Sequence, residues 1–234
     1  MEPFIPDSTT DDRMSGLERL LQRYLGPRQP EFGATEDQIR SIEMPEPLQR
    51  FFRFAGRWPS QTSRVNRFCN QDDLGAITET EFSPKLQYMD DRLAFVWENQ
   101  GVWVAATDPT GVDPPVWIAE DYDHKTEPTW WKIGNPLSHF LVSFVLQELL
   151  FGSEFVAVAP GAMRKFEQAG LPIEPVWIKG EYAWNYGCLS YFFVGEQFLV
   201  RRSSDKADGK DWYACRNRKG AELLTSLGLP TSIR

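Results

Sequence analysis

A strand–turn–strand pattern in the middle of the chain constrains the fold more than any other feature. Residues 92–98 form a β-type run with alternating side chains, and residues 102–107 form a second one. The short Asn99-Gln100-Gly101 step between them predicts a hairpin. Residues 113–118 begin a third strand, with its prolines at the entry or the edge. Strands linked by hairpins favour an antiparallel sheet.

Helical patterns precede the hairpin. Residues 1–15 are predicted to be a loose polar tail, followed by a short amphipathic helix over 17–24 that a Gly-Pro pair ends. Thr35 has the character of an N-cap, and Gln38 stands at the capping-box position. Residues 47–56 begin with proline, carry a one-sided apolar stripe and end in glycine, which predicts a short helix packed on a core.

The second half of the chain predicts one long helix and a further set of strands. Asn135 as a cap and Pro136 at the first position open this helix, which ends near residue 151. Shorter helices are predicted over 163–169 and 221–227, and β-rich runs over 175–179, 188–194, 197–202 and 211–216. We therefore expect an α+β fold, a mainly antiparallel sheet with helices packed beside it. The expected organisation is a tail and short helix over 1–34 and a single domain over 35–234.

Acidic charge is concentrated in the middle of the chain. Residues 71–127 hold thirteen acids and three bases, so this segment carries −10 while the whole chain carries −8. Phosphate is repelled by such a surface, so nucleic acid is not an expected partner, whereas a basic protein would be attracted. A solvated surface that keeps the protein in solution explains the same charge, and this alternative stays open.

The candidate partner-binding residues belong to the hairpin and the segment after it. They are Trp97, Glu98, Trp103, Asp108, Asp113, Glu120, Asp121 and Asp123. Most of the nine tryptophans are expected in the core, but an exposed tryptophan surrounded by acids would make a strong contact with a protein partner. Trp97 and Trp103 flank one turn, so one of them is a candidate for that role.

The sequence contains no recognisable catalytic motif. A nucleophile elbow, a P-loop, a zinc-protease helix and a dinucleotide fingerprint are all missing, and the three cysteines form no CxxC pair. We therefore expect no catalytic residue, no cofactor and no metal, and we expect His139 to be a buried helix residue. Two alternatives stay open: an enzyme that acts on a small molecule through a carboxylate or Cys, and a module that binds a metal through Asp121, Asp123 and His124.

The expected compartment is the cytoplasm. An odd number of widely spaced cysteines is typical of a reducing environment, and the first residues have no secretory pattern. The most apolar segment, residues 137–155, is interrupted by polar side chains, so it predicts a buried helix and its exit, and no membrane partner is expected.

Three stretches of the sequence resemble the SUKH superfamily. Residues 44–56, Met-Pro-Glu-Pro-Leu-Gln-Arg-Phe-Phe-Arg-Phe-Ala-Gly, are similar to its typical Leu-Pro-x-x-Leu step into a second helix, with Met44 in place of the usual leucine. Residues 93–103, Leu-Ala-Phe-Val-Trp-Glu-Asn-Gln-Gly-Val-Trp, look like its central hairpin, and Asp-Pro-Pro-Val-Trp at 113–117 looks like its next strand. The resemblance covers about residues 35–150.

This resemblance implies an α+β fold and a protein-binding role. Many SUKH proteins are bacterial immunity proteins that neutralise toxins, and others are regulatory scaffolds in eukaryotes. The expectation is a non-catalytic domain that binds a protein partner, such as a basic toxin nuclease. The resemblance bears on the architecture more than on the function, because these motifs mainly determine the fold.

Overall fold

The computed structural model describes residues 2–56, 66–68, 87–98, 102–120, 129–177, 189–195, 197–203 and 210–232. The α-helices of these ranges are Thr10–Leu25 (α1), Glu36–Arg40 (α2), Glu46–Ala55 (α3), Leu137–Gly152 (α4), Ala162–Gln168 (α5) and Arg218–Ser226 (α6). A single 3₁₀ turn, Pro30–Phe32, lies between α1 and α2 in the part of the chain described.

The strands of the described ranges form two antiparallel sheets. They are Asn66–Phe68 (β1), Gln87–Met89 (β2), Arg92–Glu98 (β3), Trp103–Thr107 (β4), Pro115–Glu120 (β5), Trp130–Pro136 (β6), Phe155–Pro160 (β7), Ile173–Trp177 (β8), Leu189–Val194 (β9), Phe198–Ser203 (β10) and Lys210–Cys215 (β11). The first sheet has the order β1-β3-β4-β5-β6, with β2 also paired to β3, and the second has the order β7-β11-β10-β9-β8. The predicted α+β class, with antiparallel sheets and helices, is confirmed.

The chain divides into two compact units. The first sheet belongs to a unit formed by Arg28–Leu141, and the second sheet belongs to a unit formed by Met1–Pro27 together with Val142–Arg234. The division falls within α4. The boundaries inferred from the sequence, 1–34 and 35–234, stay a prediction.

Local sequence signals account for the helices of the unit that contains residues 28–141. The Thr35 hydroxyl accepts a hydrogen bond from the Gln38 amide, and the Gln38 side chain accepts one from the Thr35 amide, so the predicted capping box is confirmed. The predicted stripe of α3 is also confirmed, because Pro47, Leu48, Phe51, Phe52 and Ala55 are all buried.

The predicted hairpin is confirmed as the β3–β4 pair. Trp97 pairs with Val104 and Leu93 with Thr107, and the register shifts between Ala94 and Val96. This shift leaves Phe95 as the extra residue of a β-bulge, and the Phe95 ring packs edge-on against Phe140 of α4 at 5.5 Å. The following strand is β5, and Pro115 is its first residue, which is where an interior strand tolerates proline.

The start of α4 differs from the prediction. Asn135 and Pro136 lie in β6, a strand that the sequence did not predict, and the helix begins at Leu137. Asp113 supplies the cap, because its carboxylate accepts hydrogen bonds from the Ser138 amide at 2.9 Å and the Ser138 hydroxyl at 2.6 Å. A cap from 25 residues upstream cannot be recognised by local spacing. Within the ranges given above, no helix is long and apolar enough to cross a bilayer.

The other unit has helices on both faces of its sheet. Tyr213 faces a core shared with α5 and α6 residues such as Phe166 and Leu224, whereas the neighbouring Trp212 stacks edge-on with Phe151 of α4. Strand β7 was not predicted, because its six residues directly follow the apolar helix α4 and share its hydrophobic character.

The N-terminal segment is more ordered than predicted. Helix α1 begins at Thr10, so the prediction of a loose tail is wrong for residues 10–15. Before the helix, the Phe4 and Ile5 amides donate to the carbonyls of Pro175 and Val176 on β8, and Ile5 is fully buried. Two backbone hydrogen bonds and the burial of Ile5 hold this segment in place. The polar composition of the segment does not predict these contacts.

Candidate partner-binding groove

The two candidate tryptophans of the hairpin lie on opposite faces of the first sheet. Paired residues share a face and neighbouring residues alternate. Trp97 pairs with Val104 and Trp103 pairs with Glu120, so Glu98, Trp103 and Glu120 share a face that excludes Trp97. We call these the Trp103 face and the Trp97 face.

The candidate acids are also separated along the strands. Asp108 and Asp113 lie in the loop between β4 and β5, whereas Glu98 and Glu120 lie at the opposite ends of their strands. The length of β4, about 13 Å at roughly 3.3 Å per residue, separates the two groups. Asp121 and Asp123 fall outside the described residues. The structure therefore does not bring the described candidates together into one site.

Neither hairpin tryptophan is exposed. Trp103 is 9% exposed and Trp97 is half-buried. Among the described tryptophans, the one classed as exposed is Trp131 on β6, at 48%. Trp131 pairs with Ile118, which places it on the Trp103 face, near the edge of the sheet.

On the Trp97 face, an arginine side chain lies over the rings of two tryptophans. The centre of this face is made of small residues such as Ala106, which leave room for the Arg92 side chain to lie across the sheet. The Arg92 guanidinium lies 4.3 Å from the centre of the Trp117 ring and 5.4 Å from that of Trp130. Trp130 in turn donates to the Asp90 carboxylate at 3.0 Å. These contacts stabilise the fold, because each cation–ring pair contributes on the order of 1 kcal/mol.

A groove of about 750 Å³ lies within the same unit, between the α2–α3 region and the β4–β5 loop. Buried Ile39 and Met44 and half-buried Ile42 give it an apolar side. Val112 at the tip of the loop lines the opposite side and is 80% exposed. Val112 adds exposed apolar surface to this concavity, and a concave site with some apolar lining is where a ligand or partner side chain is most readily enclosed.

Charged side chains surround this groove. Glu36 is bound to Arg53, with Oε1 2.6 Å from the guanidinium Nε, and this hydrogen bond lowers the pKa of Glu36 and raises that of Arg53. Glu43 and Glu46 also line the groove, are exposed, and make no side-chain hydrogen bond or ion pair with any described residue. Arg40 adds one positive charge. Since Glu36 and Arg53 compensate each other, the remaining charge is acidic.

The loop that forms the Val112 side is anchored by α4. Asp113, next to Val112, binds the first turn of the helix through Ser138, and the Leu137 amide donates to the Pro114 carbonyl at 2.8 Å. The Thr107 hydroxyl donates to the Pro115 carbonyl at 2.9 Å. The carboxylate of Asp113 holds the groove wall in place, and a contact of Asp113 with a partner stays a prediction. A wall held this way needs little ordering when a ligand binds.

In the described parts of the chain, side chains able to act in catalysis or metal binding do not form a cluster. Those parts contain no cluster of three or more His, Cys, Asp and Glu side chains able to hold a metal. Cys215 is buried, and this burial raises the pKa of its thiol to about 11, so it is a poor source of the nucleophilic thiolate. His139 is buried, as predicted. Cys69, Cys188 and the Asp121, Asp123 and His124 candidates lie outside the described residues.

Comparison with protein-family models, with curated proteins and with solved structures finds no match for this chain. The resemblance to the SUKH superfamily therefore stays a prediction, and the roles of the groove residues are inferred from their geometry alone.

Sequence reasoning did not find the groove, although part of its signal is visible. The Met44-Pro45-Glu46-Pro47 step predicts the start of a helix, but this local pattern does not show that Glu46 borders a groove. In Pro109-Thr110-Gly111-Val112, an aliphatic residue stands among turn-forming residues. That combination predicts an exposed apolar side chain, but not what lies opposite.

Proposed function

We propose that this chain is a non-catalytic protein-binding domain, an immunity protein or a regulatory scaffold, that binds a basic protein partner through the groove. The observation that carries the proposal is a pair of exposed carboxylates, Glu43 and Glu46, which have no hydrogen-bond or ion-pair partner among the described residues and lie beside an apolar wall and the exposed Val112. Exposed acids attract and orient a basic partner, and the apolar surface contributes affinity once water is displaced.

The acidic composition and the SUKH resemblance support the same proposal. A toxin nuclease binds the phosphates of its substrate with a basic surface, so an acidic protein can occupy that surface in place of the nucleic acid. An immunity protein of this type acts in the cytoplasm of the bacterium that produces it.

Charge reversal tests which acidic surface is used. The chain is co-expressed with the product of the neighbouring gene, and the affinity of the purified pair is measured by calorimetry. We expect Glu43→Lys together with Glu46→Lys to weaken binding by about tenfold or more, since each reversed rim charge adds repulsion. The matched variant, Glu98→Lys with Glu120→Lys, changes one acid of the hairpin and one of the neighbouring strand β5, and it is expected to have a smaller effect.

Circular dichroism and the melting temperature of each variant show whether it is folded, because Glu46 lies in the first turn of α3, where a lysine opposes the helix dipole. An unchanged affinity in the Glu43/Glu46 variant would exclude the groove as the binding site. A larger loss in the Glu98/Glu120 variant would return the site to the hairpin.

A further inference from the structure

The shape of the groove restricts what kind of partner surface can enter it. Its volume of about 750 Å³ is in the range of sites that enclose a small ligand or a few side chains, roughly 300–1,000 Å³. A flat face of a folded domain contacts the rim of such a groove but does not fill it. A loop or a chain end fills it, because a short extended segment presents successive side chains to a narrow surface.

The chemistry of the lining restricts the sequence of such a segment. Among the apolar residues of the lining, half-buried Ile42 and exposed Val112 offer most of the contact to an aliphatic or aromatic side chain, because Ile39 and Met44 are each only 3% exposed. Glu43 directly precedes Met44, and Glu46 follows it by two residues, so the two carboxylates flank the apolar centre along the chain. Complementary charge on the ligand is therefore expected on both sides of its apolar residue.

The ion pair between Glu36 and Arg53 restricts the site further. The Arg53 guanidinium donates a hydrogen bond of 2.6 Å to the Glu36 carboxylate, so neither charged group is readily available to a ligand. Arg40 also lines the groove and has no hydrogen bond or ion pair among the described residues. Its positive charge repels a basic residue of the ligand that comes close to it. Lysine or arginine next to Glu43 and Glu46 is thus favoured over a uniformly basic stretch.

We propose that the groove binds a short extended segment of its partner in which an apolar side chain is flanked by lysine or arginine. This inference rests on the proposed function and specifies the form of the partner. The segment places its apolar side chain against Ile42 and Val112, and its cations meet Glu43 and Glu46. Recognition then depends on a linear motif more than on the folded surface of the partner.

A display library of short random peptides tests the proposal. It is selected against the full chain, against the variant Glu43→Gln with Glu46→Gln, and against a control variant, Glu167→Gln with Glu222→Gln, which neutralises two exposed acids in the other unit. We expect the wild-type and control chains to enrich peptides with lysine or arginine on both sides of an apolar residue. The Glu43/Glu46 variant is expected to bind the selected peptides about five- to tenfold more weakly, and wild-type binding is expected to weaken as salt is added.

Three results would overturn this inference: no enrichment over the support, enrichment of peptides without basic residues, or equal binding to the Glu43/Glu46 variant. Its failure is distinguishable from failure of the proposed function. If no peptide is enriched but the intact partner still needs Glu43 and Glu46, the partner uses a folded surface and the proposed function stands. If the intact partner is also indifferent to both glutamates, the groove has neither role.

Discussion

At the scale of single residues, an adjacent pair of acids that resembles a charged site proves to form a turn. Asp90 and Asp91 link β2 to β3, and both have positive φ angles, 49° and 63°. A two-residue hairpin needs this left-handed conformation, which aspartate tolerates better than most residues but glycine adopts without strain. Asp90 has a further role, since its carboxylate accepts the indole hydrogen bond of Trp130.

Replacing Asp91 with glycine is therefore expected to stabilise the protein. Relief of the left-handed strain outweighs the greater flexibility of glycine in the unfolded chain, and the free energy of unfolding should rise by roughly 0.5–1 kcal/mol. Urea denaturation followed by circular dichroism measures this change. Asp90→Gly is the control: it relieves the same strain but loses the contact with Trp130, so it should gain less. A destabilised Asp91→Gly variant would contradict this account of the turn.

Gly16 in α1 is required by close packing. A Cβ atom at this position would lie 2.8 Å from Ile5 Cγ2 and 3.0 Å from Ile5 Cα, and Ile5 is fully buried. Alanine normally stabilises a helix interior by about 1 kcal/mol relative to glycine, but a clash with buried backbone outweighs this gain.

We expect Gly16→Ala to lower the free energy of unfolding by about 1–3 kcal/mol. In the background of Ile5→Ala the same change should cost less, because part of the obstructing side chain is gone, and a double-mutant cycle measures the difference. Additive effects of the two substitutions would mean that Gly16 is not needed for the docking of the N-terminal segment. Gly134→Ala is a control, since a Cβ there meets nothing within 4 Å.

At the scale of elements, two helices take their N-terminal caps from distant segments. Asp113 caps α4, and the buried carboxylate of Asp211 on β11 accepts a hydrogen bond from the Met163 amide of α5 at 2.9 Å and one from Arg202 at 3.0 Å. The residue before α5 is Gly161, which has no side chain to cap with. A carboxylate from a neighbouring segment satisfies the free amides of the first turn and also ties two elements together.

Asp113→Ala is expected to lower the free energy of unfolding by about 1–2 kcal/mol, through loss of the cap and release of the loop. It should also weaken partner binding, because Val112 loses its fixed position, although Asp113 itself contacts no ligand in our proposal. Asp108→Ala in the same loop is the matched control for lost charge. Equal effects of the two substitutions on affinity would indicate that net charge, rather than the position of the loop, determines binding.

At the scale of the whole molecule, buried ionisable groups make stability depend on alkaline pH. Burial raises the pKa of Cys215 from 9.0 to about 11 and that of Tyr213 from 10.0 to about 12. In the folded protein these groups keep their protons at pH values where the unfolded chain loses them. Deprotonation therefore favours the unfolded chain, and stability decreases as pH rises from about 9 towards 11.

The contribution of the thiol can be isolated with Cys215→Ser. The melting temperatures of the wild-type chain and the variant are measured between about pH 8 and pH 11, and the two slopes are compared. Tyr213 is present in both proteins, so the part of its pKa shift that burial causes cancels in the difference, and the part that the Cys215 thiolate causes is counted with the thiol. We expect the wild-type slope to be steeper above pH 9. Parallel curves would show that Cys215 does not couple folding to ionisation.

Features that depend on neighbours along the chain were predictable from the sequence. Capping at Thr35, the apolar stripe of α3 and the hairpin of β3 and β4 are local patterns, each specified by residues a few positions apart. The concentration of acids in residues 71–127 was equally visible, but the described acids of that segment serve different purposes: Asp90 and Asp91 form a turn, and Asp113 caps a helix.

Contacts between residues far apart in the sequence were not predictable in this way, because they are set by the fold. The cap of α4 and the strand β6 depend on partners far away in sequence, and the apolar run of β7 is too short for its periodicity to identify it as a strand. The groove joins residues 36–53 to residues 109–112, two segments separated by more than fifty positions. The spacing of residues along the chain does not predict that these two segments lie close together. Their proximity results from the packing of the helices and from the position of the anchored loop.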